Sequence, residues 1–276
     1  MSHFYPLRAI LLPITLCTLL LAACGGTSSS LPPTPTPSTV TLNVFAAASL
    51  TESFNTIATK YHQAHPNIVV KLNFNGSQIL EQQIANGAPS DVFASADQAN
   101  MMKASAAGLV GSSQVFVKNR LVVIIPSNNP GNISSLKDLA RKGVKIDIEA
   151  SNVPAGKYSL QVLDNMAKSP DFGPAYESAV KANFVSQEIN VKAVVQKVQL
   201  GEADAGFVYR TDVTTAVTNK VKIIDIPDNF NVIAQYPIAV TKNSAHTAEA
   251  QAFVQYVLSA DGQNVLEQFH FIAVNP

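Results

Sequence analysis

Residues 41–61 read TLNVFAAASLTESFNTIATKY. The first half is apolar and β-prone. The second half carries Leu50, Phe54, Ile57, Ala58 and Tyr61 at helical spacing, so the stretch is a strand running into an amphipathic helix. Ser49 stands where an N-cap belongs, and Glu52 completes an S-x-x-E capping box. Ala46, Ala47 and Ala48 keep the space before the helix free of side chains. A helix N-terminus offers unpaired N–H groups and a partial positive charge, so a small anion could occupy that space. The plainer alternative is that Ser49 caps a helix and does nothing else.

Strands and helices alternate from residue 40 onward. IVVKLNF (68–74), DVFASAD (91–97), NRLVVIIPS (119–127) and VKIDIEAS (144–151) read as strands, as do the later AGFVY, VKIIDIP and YPIAVTK. Between them lie helical segments, QILEQQIANG, QANMMKASAAGL, SSLKDLARKG (134–143), AGKYSLQVLDNMAK (155–168) and NVKAVVQKVQLGEAD, with two more at the C-terminus. Met101, Met102 and Met166 read as core. The alternation implies an α/β fold of mixed, mostly parallel sheets flanked by helices. In such sheets ligands sit beyond the carboxyl ends of strands, where helix N-termini point. Four joints share one design of small residues and a polar group or free amide starting a helix. They are AAAS (46–49), NGS (75–77), VPAGK (153–157) and INV (189–191).

The N-terminus points to a compartment. Arg8 precedes the short apolar run AILLPITLCTLLLAAC, which reads as a signal peptide over residues 1–23. LAAC (21–24) resembles the bacterial lipobox, in which Cys24 becomes the lipidated first residue of the mature chain; an ordinary signal peptide with a chance cysteine is the alternative. Cys17 lies in the removed segment, so the remaining 253 of the 276 residues hold no disulfide and rely on packing. Residues 24–40 are the lipidated cysteine and a Pro/Ser/Thr-rich tether, able to reach ~50 Å at ~3.1 Å per residue. This layout places the globular part outside the cytoplasmic membrane, attached to it only through lipid. Lys and Arg (19) balance Asp and Glu (19), which argues against nucleic acid as a partner.

FAAASLTESF, FNGSQ, GAPSDVFASADQ, VPAGKY and GEADAGFVYRTD followed by YPIAV resemble, in order and spacing, the motifs of periplasmic molybdate-binding proteins of ABC transporters. The resemblance spans about residues 40–272 and implies a two-lobed binding protein of type II periplasmic-binding-protein architecture. Residues 41–120 plus 237–276 would form one lobe and 121–236 the other, with one oxyanion in the cleft between them. It implies ligand contacts at Ser49, Ser77, Ala155, Val191 and Tyr209: hydroxyls from the serines and the tyrosine, backbone N–H groups from Ala155 and Val191. It further implies no cofactor, a monomer, and partnership with an ABC permease and its ATPase. Gln78 stands where a second serine is usual, and Lys192 where arginine is frequent. Some related binders add carboxylates to reach six-fold coordination; Val153 before Pro154 does not match that arrangement, which favours four-coordinate binding.

A dianion such as molybdate or tungstate needs donors and no acceptors, whereas hydrogenphosphate carries a proton and needs an acceptor. Sulfate shares molybdate's charge and shape and differs in size. Two readings of another class stand beside the binding protein, a secreted serine hydrolase with Ser49 as nucleophile and a tethered oxyanion sensor. Against the enzyme, no G-x-S-x-G, H-E-x-x-H or Walker A motif is present and AAASL brings no neighbouring histidine. His62 and His65 are three apart on a helix, too few ligands for a metal site on their own.

Overall fold

The computed structural model describes residues 38–274. The signal segment 1–23, Cys24 and the tether through residue 37 lie outside the described residues. The chain opens with β1 (Val40–Ala47), a short 3-10 turn (Ala48–Leu50), α1 (Thr51–Ala64), β2 (Ile68–Asn75) and α2 (Ser77–Ala85). β3 (Val92–Ala94), α3 (Gln98–Ala106) and β4 (Gln114–Asn119) follow. The next elements are β5 (Leu121–Pro126), a 3-10 turn (Leu136–Ala140), β6 (Ile146–Glu149), α4 (Pro154–Ala167), α5 (Ala175–Lys181) and β7 (Phe184–Glu188). Then come α6 (Val191–Leu200), β8 (Ala205–Tyr209), α7 (Thr215–Thr218) and β9 (Val221–Asp225). β10 (Ala234–Val240), α8 (Thr247–Leu258), α9 (Ala260–Gln268) and β11 (Ile272–Ala273) complete the fold.

The described strands form two mixed sheets, ordered β11-β4-β10-β3-β1-β2 and β7-β6-β8-β5-β9. β1 runs parallel to β2 and β3, and β6 parallel to β7 and β8. The antiparallel ladders belong to strands next to the crossings, β4 and β10 in one sheet and β5 in the other. Only Arg120 separates β4 of the first sheet from β5 of the second, and residues 226–233 carry the chain back. Ala234, Gln235 and Tyr236 already pair with β4, so they belong to the first sheet and not to a second-lobe segment ending at 236.

Helices cover both faces of each sheet, so the central strands are buried on both sides, as all six residues of β5 are. Phe54 of α1 meets Phe116 of β4 and Phe253 of α8 edge-on, with centroids 5.8 and 6.4 Å apart. α6 stops at Gly201, whose φ of +73° is a left-handed C-cap that glycine adopts without strain.

Several local expectations are corrected. Ser49 does not cap α1: the 3-10 turn over Ala48–Leu50 intervenes, the N-cap position is Leu50, and no side chain caps the helix. The SSLKDLARKG segment tightens to a 3-10 turn, capped by Ser135. Met102 points outward, 64% exposed, while Met101 and Met166 are core. β4, α5 and β7 were not apparent in the sequence. Among the described residues, no helix is long and apolar enough to cross a membrane.

Candidate functional site

The four small-residue joints converge. The end of β1 with its 3-10 turn and the start of α2 come from the first sheet's side. The starts of α4 and α6 and the end of β8 come from the second's. Between them is a cavity of about 10 Å³, lined by Ser49, Ser77, Val191, Tyr209 and Glu149 and walled by Ala47 and Ala48. That is room for roughly one water. No lysine or arginine lines it.

Two of the cavity's three hydroxyls, those of Ser77 and Tyr209, are free to donate. Ser77 Oγ accepts from the Ala96 N–H (2.9 Å), which leaves its own proton free. Tyr209 is buried and its hydroxyl has no hydrogen-bond partner. Burial holds its pKa well above the ordinary tyrosine value, so it stays a donor. Ser49 Oγ lies 2.9 Å from the Tyr236 hydroxyl, an interaction made instead of a helix cap. Val191 is the first residue of α6, so its N–H has no intrahelical acceptor. The Asn190 side chain caps the helix by accepting from Ala193 N–H (3.2 Å).

Ala155 departs from the expected picture of a free amide. Its N–H donates to Glu149 Oε2 at 2.6 Å, and the Gly156 N–H adds a second bond at 3.2 Å. A carboxyl group therefore holds the α4 N-terminus, where Val153 provides no cap and Pro154 has no N–H to give. The cavity is not lined by donors alone. Burial pushes the Glu149 carboxyl up to about 8; the Gly156 and Ala155 N–H groups pull against this, and the Asp212 and Asp97 carboxylates add to it. At neutral pH the group is mainly protonated and can itself donate.

A profile of the family described as "Bacterial extracellular solute-binding protein" matches residues 42–272. The chain belongs to the bacterial extracellular solute-binding proteins. The molybdate-binding protein ModA of Mycobacterium tuberculosis is 36% identical over 253 residues, covering 91% of this chain and 92% of that one. Two solved structures share the fold at lower identity. The periplasmic molybdate-binding protein of Azotobacter vinelandii is 23% identical with a TM-score of 0.71, covering 84% of this chain and 98% of that one. The sulfate-binding protein SubI of M. tuberculosis is 17% identical with a TM-score of 0.74, covering 86% and 88%. At those two identities the likeness is one of fold. The family is one of binding proteins, not enzymes, and the hydrolase reading of Ser49 falls with it.

In this solute-binding protein, charged groups sit beside the cavity rather than in it. Lys192, one residue into α6, donates to both oxygens of Glu52 on α1 (3.0 and 2.8 Å) and lies 3.5 Å from Asp212. Burial alone would lower the lysine's pKa; the Asp212 and Glu52 carboxylates more than offset that, so it remains charged. Glu52, the supposed capping-box acid, thus serves as an ion-pair partner across the two halves. Gln78 also bridges them, donating to the Ile189 carbonyl at 2.9 Å. Gly76 permits that approach, since a Cβ there would stand 2.3 Å from the same carbonyl oxygen. His62 is engaged by the Ile68 carbonyl (2.7 Å) and His65 packs on the Tyr61 ring.

Glu149, Tyr236 and Asn119 were missed as site residues. Glu149 did leave a signal, an acid ending a strand just before a helix whose N-cap, Val153, has no side-chain acceptor. Tyr236 and Asn119 left none, because Tyr236 meets Ser49 across 187 positions of chain and Asn119 meets Tyr236 across 117.

Proposed function

We propose that this chain is the substrate-binding component of an ABC importer and takes up molybdate between its two halves. Ser49, Ser77 and Tyr209 give hydroxyl protons, and Val191 and Ala155 give backbone N–H groups. The observation that carries the reading is the convergence of three hydroxyls, one of them wholly unpartnered, on helix N-termini in a buried cavity without a fixed cation. The 36% identical molybdate-binding relative supports the choice of anion. Each charge-assisted hydrogen bond is worth ~1.5–3 kcal/mol net, so a handful suffices for tight binding. The cavity of about 10 Å³ is too small for a tetrahedral oxyanion, so entry parts the halves or moves Glu149 off the α4 N-terminus. The two sheets with their helices act as lobes, hinged at Arg120 and at residues 226–233. Tungstate, nearly equal in size and charge, is the alternative ligand of the same class. Anchoring through Cys24, delivery to a membrane permease driven by an ATPase, and action as a monomer outside the cytoplasmic membrane complete the proposal.

Calorimetric titration of the purified protein with molybdate, tungstate, sulfate and phosphate at neutral pH tests it. Tight one-to-one binding of molybdate or tungstate is the expected result, with a Ser49→Ala protein at least ~10-fold weaker and still folded. Heat from sulfate or phosphate alone would overturn the ligand, and unchanged affinity in Ser49→Ala would remove that residue from the site.

A further inference from the structure

Ser49 and Ser77 both present hydroxyls to the cavity, but their protons are directed by different means. For Ser77 the backbone does it, because the Ala96 N–H can only donate and so occupies a lone pair of the serine oxygen. For Ser49 the partner is the Tyr236 hydroxyl at 2.9 Å, which by itself could donate or accept. The ambiguity is removed one residue further back. Asn119 is fully buried, and its Oδ1 accepts from the Arg120 N–H at 2.9 Å. A backbone N–H cannot accept, so that contact fixes which end of the amide is oxygen. The other end is the NH₂ group, which donates to Thr211 Oγ1 (2.9 Å) and to the Tyr236 hydroxyl (3.2 Å). Asn119 Nδ2 can only donate, so of the hydroxyl's two hydrogen-bond partners Ser49 Oγ alone can accept, and a Tyr236 that accepted from both would leave its own proton unplaced.

We infer that Asn119 and Tyr236 are positioning residues for oxyanion binding: a one-way relay from the Asn119 amide through the Tyr236 hydroxyl keeps the Ser49 proton directed at the ligand. The inference rests on the oxyanion reading of the cavity and adds to it the residues that set the site's polarity. Run in reverse, with Ser49 donating to Tyr236, the serine would turn only lone pairs toward the cavity and repel an anion. The relay is buried throughout, with Tyr236 and Asn119 at 0% exposure, so water does not compete to reorient it.

Asn119→Asp is the discriminating substitution, since it is nearly isosteric and turns the donor end of the side chain into an acceptor. The aspartate can still accept from the Arg120 N–H, and the Thr211 and Tyr236 hydroxyls can both turn to donate to it. Tyr236 then accepts a hydrogen bond from the Ser49 hydroxyl, whose proton is turned away from the cavity. Added negative charge alone could also weaken anion binding, and Tyr236→Phe separates the two causes by cutting the relay while keeping the charge. Calorimetric titration of molybdate into wild type, Asn119→Asp, Tyr236→Phe and the double variant, each checked for folding by its melting transition, forms the test. The expected result is a loss of at least ~30-fold in Asn119→Asp and ~3- to 10-fold in Tyr236→Phe. The double variant should lie within about 3-fold of Tyr236→Phe, because without the tyrosine hydroxyl the aspartate cannot reverse Ser49. A double variant as much weakened relative to Tyr236→Phe as Asn119→Asp is relative to wild type would show a simple charge effect and overturn the relay. Wild-type affinity in a folded Tyr236→Phe, which cuts the relay without adding a titratable group, would overturn it too. A wild type that binds none of molybdate, tungstate, sulfate and phosphate would overturn the oxyanion reading itself, and this inference with it.

Discussion

Replacing Glu149 by glutamine should abolish a pH dependence of oxyanion affinity that the wild type shows above pH 8. The carboxyl occupies the α4 N-terminus, 2.6 Å from the Ala155 nitrogen, in the cavity that would receive a dianion. An ionised Glu149 and a bound dianion would share one low-dielectric pocket with no cation between them, so binding favours the protonated acid. With its pKa raised from 4.5 to about 8, the acid is about 90% protonated at pH 7 and about 10% at pH 9. If only the protonated form binds, affinity falls about 10-fold from pH 7 to pH 9, and binding at pH 8 takes up about half a proton per anion. Molybdate keeps its two charges over that range, so the slope belongs to the protein. Calorimetry at both pH values, in buffers of different ionisation enthalpy, reads affinity and proton uptake together. Glu149→Gln should be flat and proton-neutral. The same substitution bears on the ligand-free fold. A carboxyl whose folded pKa lies above its unfolded one gives stability that is complete below pH 4.5 and lost as pH rises through about 8, with a ceiling of roughly 5 kcal/mol at 1.36 kcal/mol per unit. The melting temperature of the free wild type should therefore fall between pH 5 and 8, and that of Glu149→Gln should fall less. A wild-type affinity constant from pH 7 to 9, or the same slope in the glutamine variant, would refute the reasoning.

Two further substitutions probe the cavity from opposite sides. Gly76→Ala places a methyl group 2.3 Å from the Ile189 carbonyl oxygen, so the two halves cannot meet as they do here. Molybdate affinity should drop at least ~10-fold with an enlarged radius of gyration by small-angle scattering, and an unchanged radius together with unchanged affinity would show that this contact is not part of closure. Tyr209→Phe removes a buried hydroxyl that has no protein partner, so the ligand-free protein should lose under ~1 kcal/mol of stability or gain some. Molybdate affinity should still fall ~10-fold or more, and a large drop in melting temperature without a change in affinity would place the hydroxyl in the core and not in the site.

Much of the fold was legible because it is written in local periodicity. The alternation of apolar runs and helical stripes gave β1 to β3, β5, β6, α4 and α6 close to their observed bounds, and Gly201 marked the end of α6 by the backbone it must adopt. QVFVKN was not read as a strand. Its place as β4 depends on pairing with β10, more than a hundred residues later, and no local signal encodes that. The same division runs through the site. The small residues of AAAS are legible, and Ala47 and Ala48 wall the cavity. Its Ser49 is not the cap that local rules predict, because capping rules know only the following turn. The hydroxyl bonds a tyrosine 187 residues away, and Glu52 pairs with a lysine 140 residues away.

Glu149 is intermediate, and it shows where local reasoning could have gone one step further. A strand buried on both faces has no solvent side, so IDIE cannot be parsed as alternating core and surface, and both Asp147 and Glu149 must be accommodated inside. An acid in that position needs donors. Six residues on, the chain supplies them in the form of a helix start with no side chain of its own to cap it. On the proposed reading, the group that holds this helix N-terminus is also the group an anion would displace there. Such an N-terminus in a binding protein is therefore a reason to look for an internal carboxyl group a few residues upstream, and its raised pKa lets it leave in the protonated form without stranding a charge.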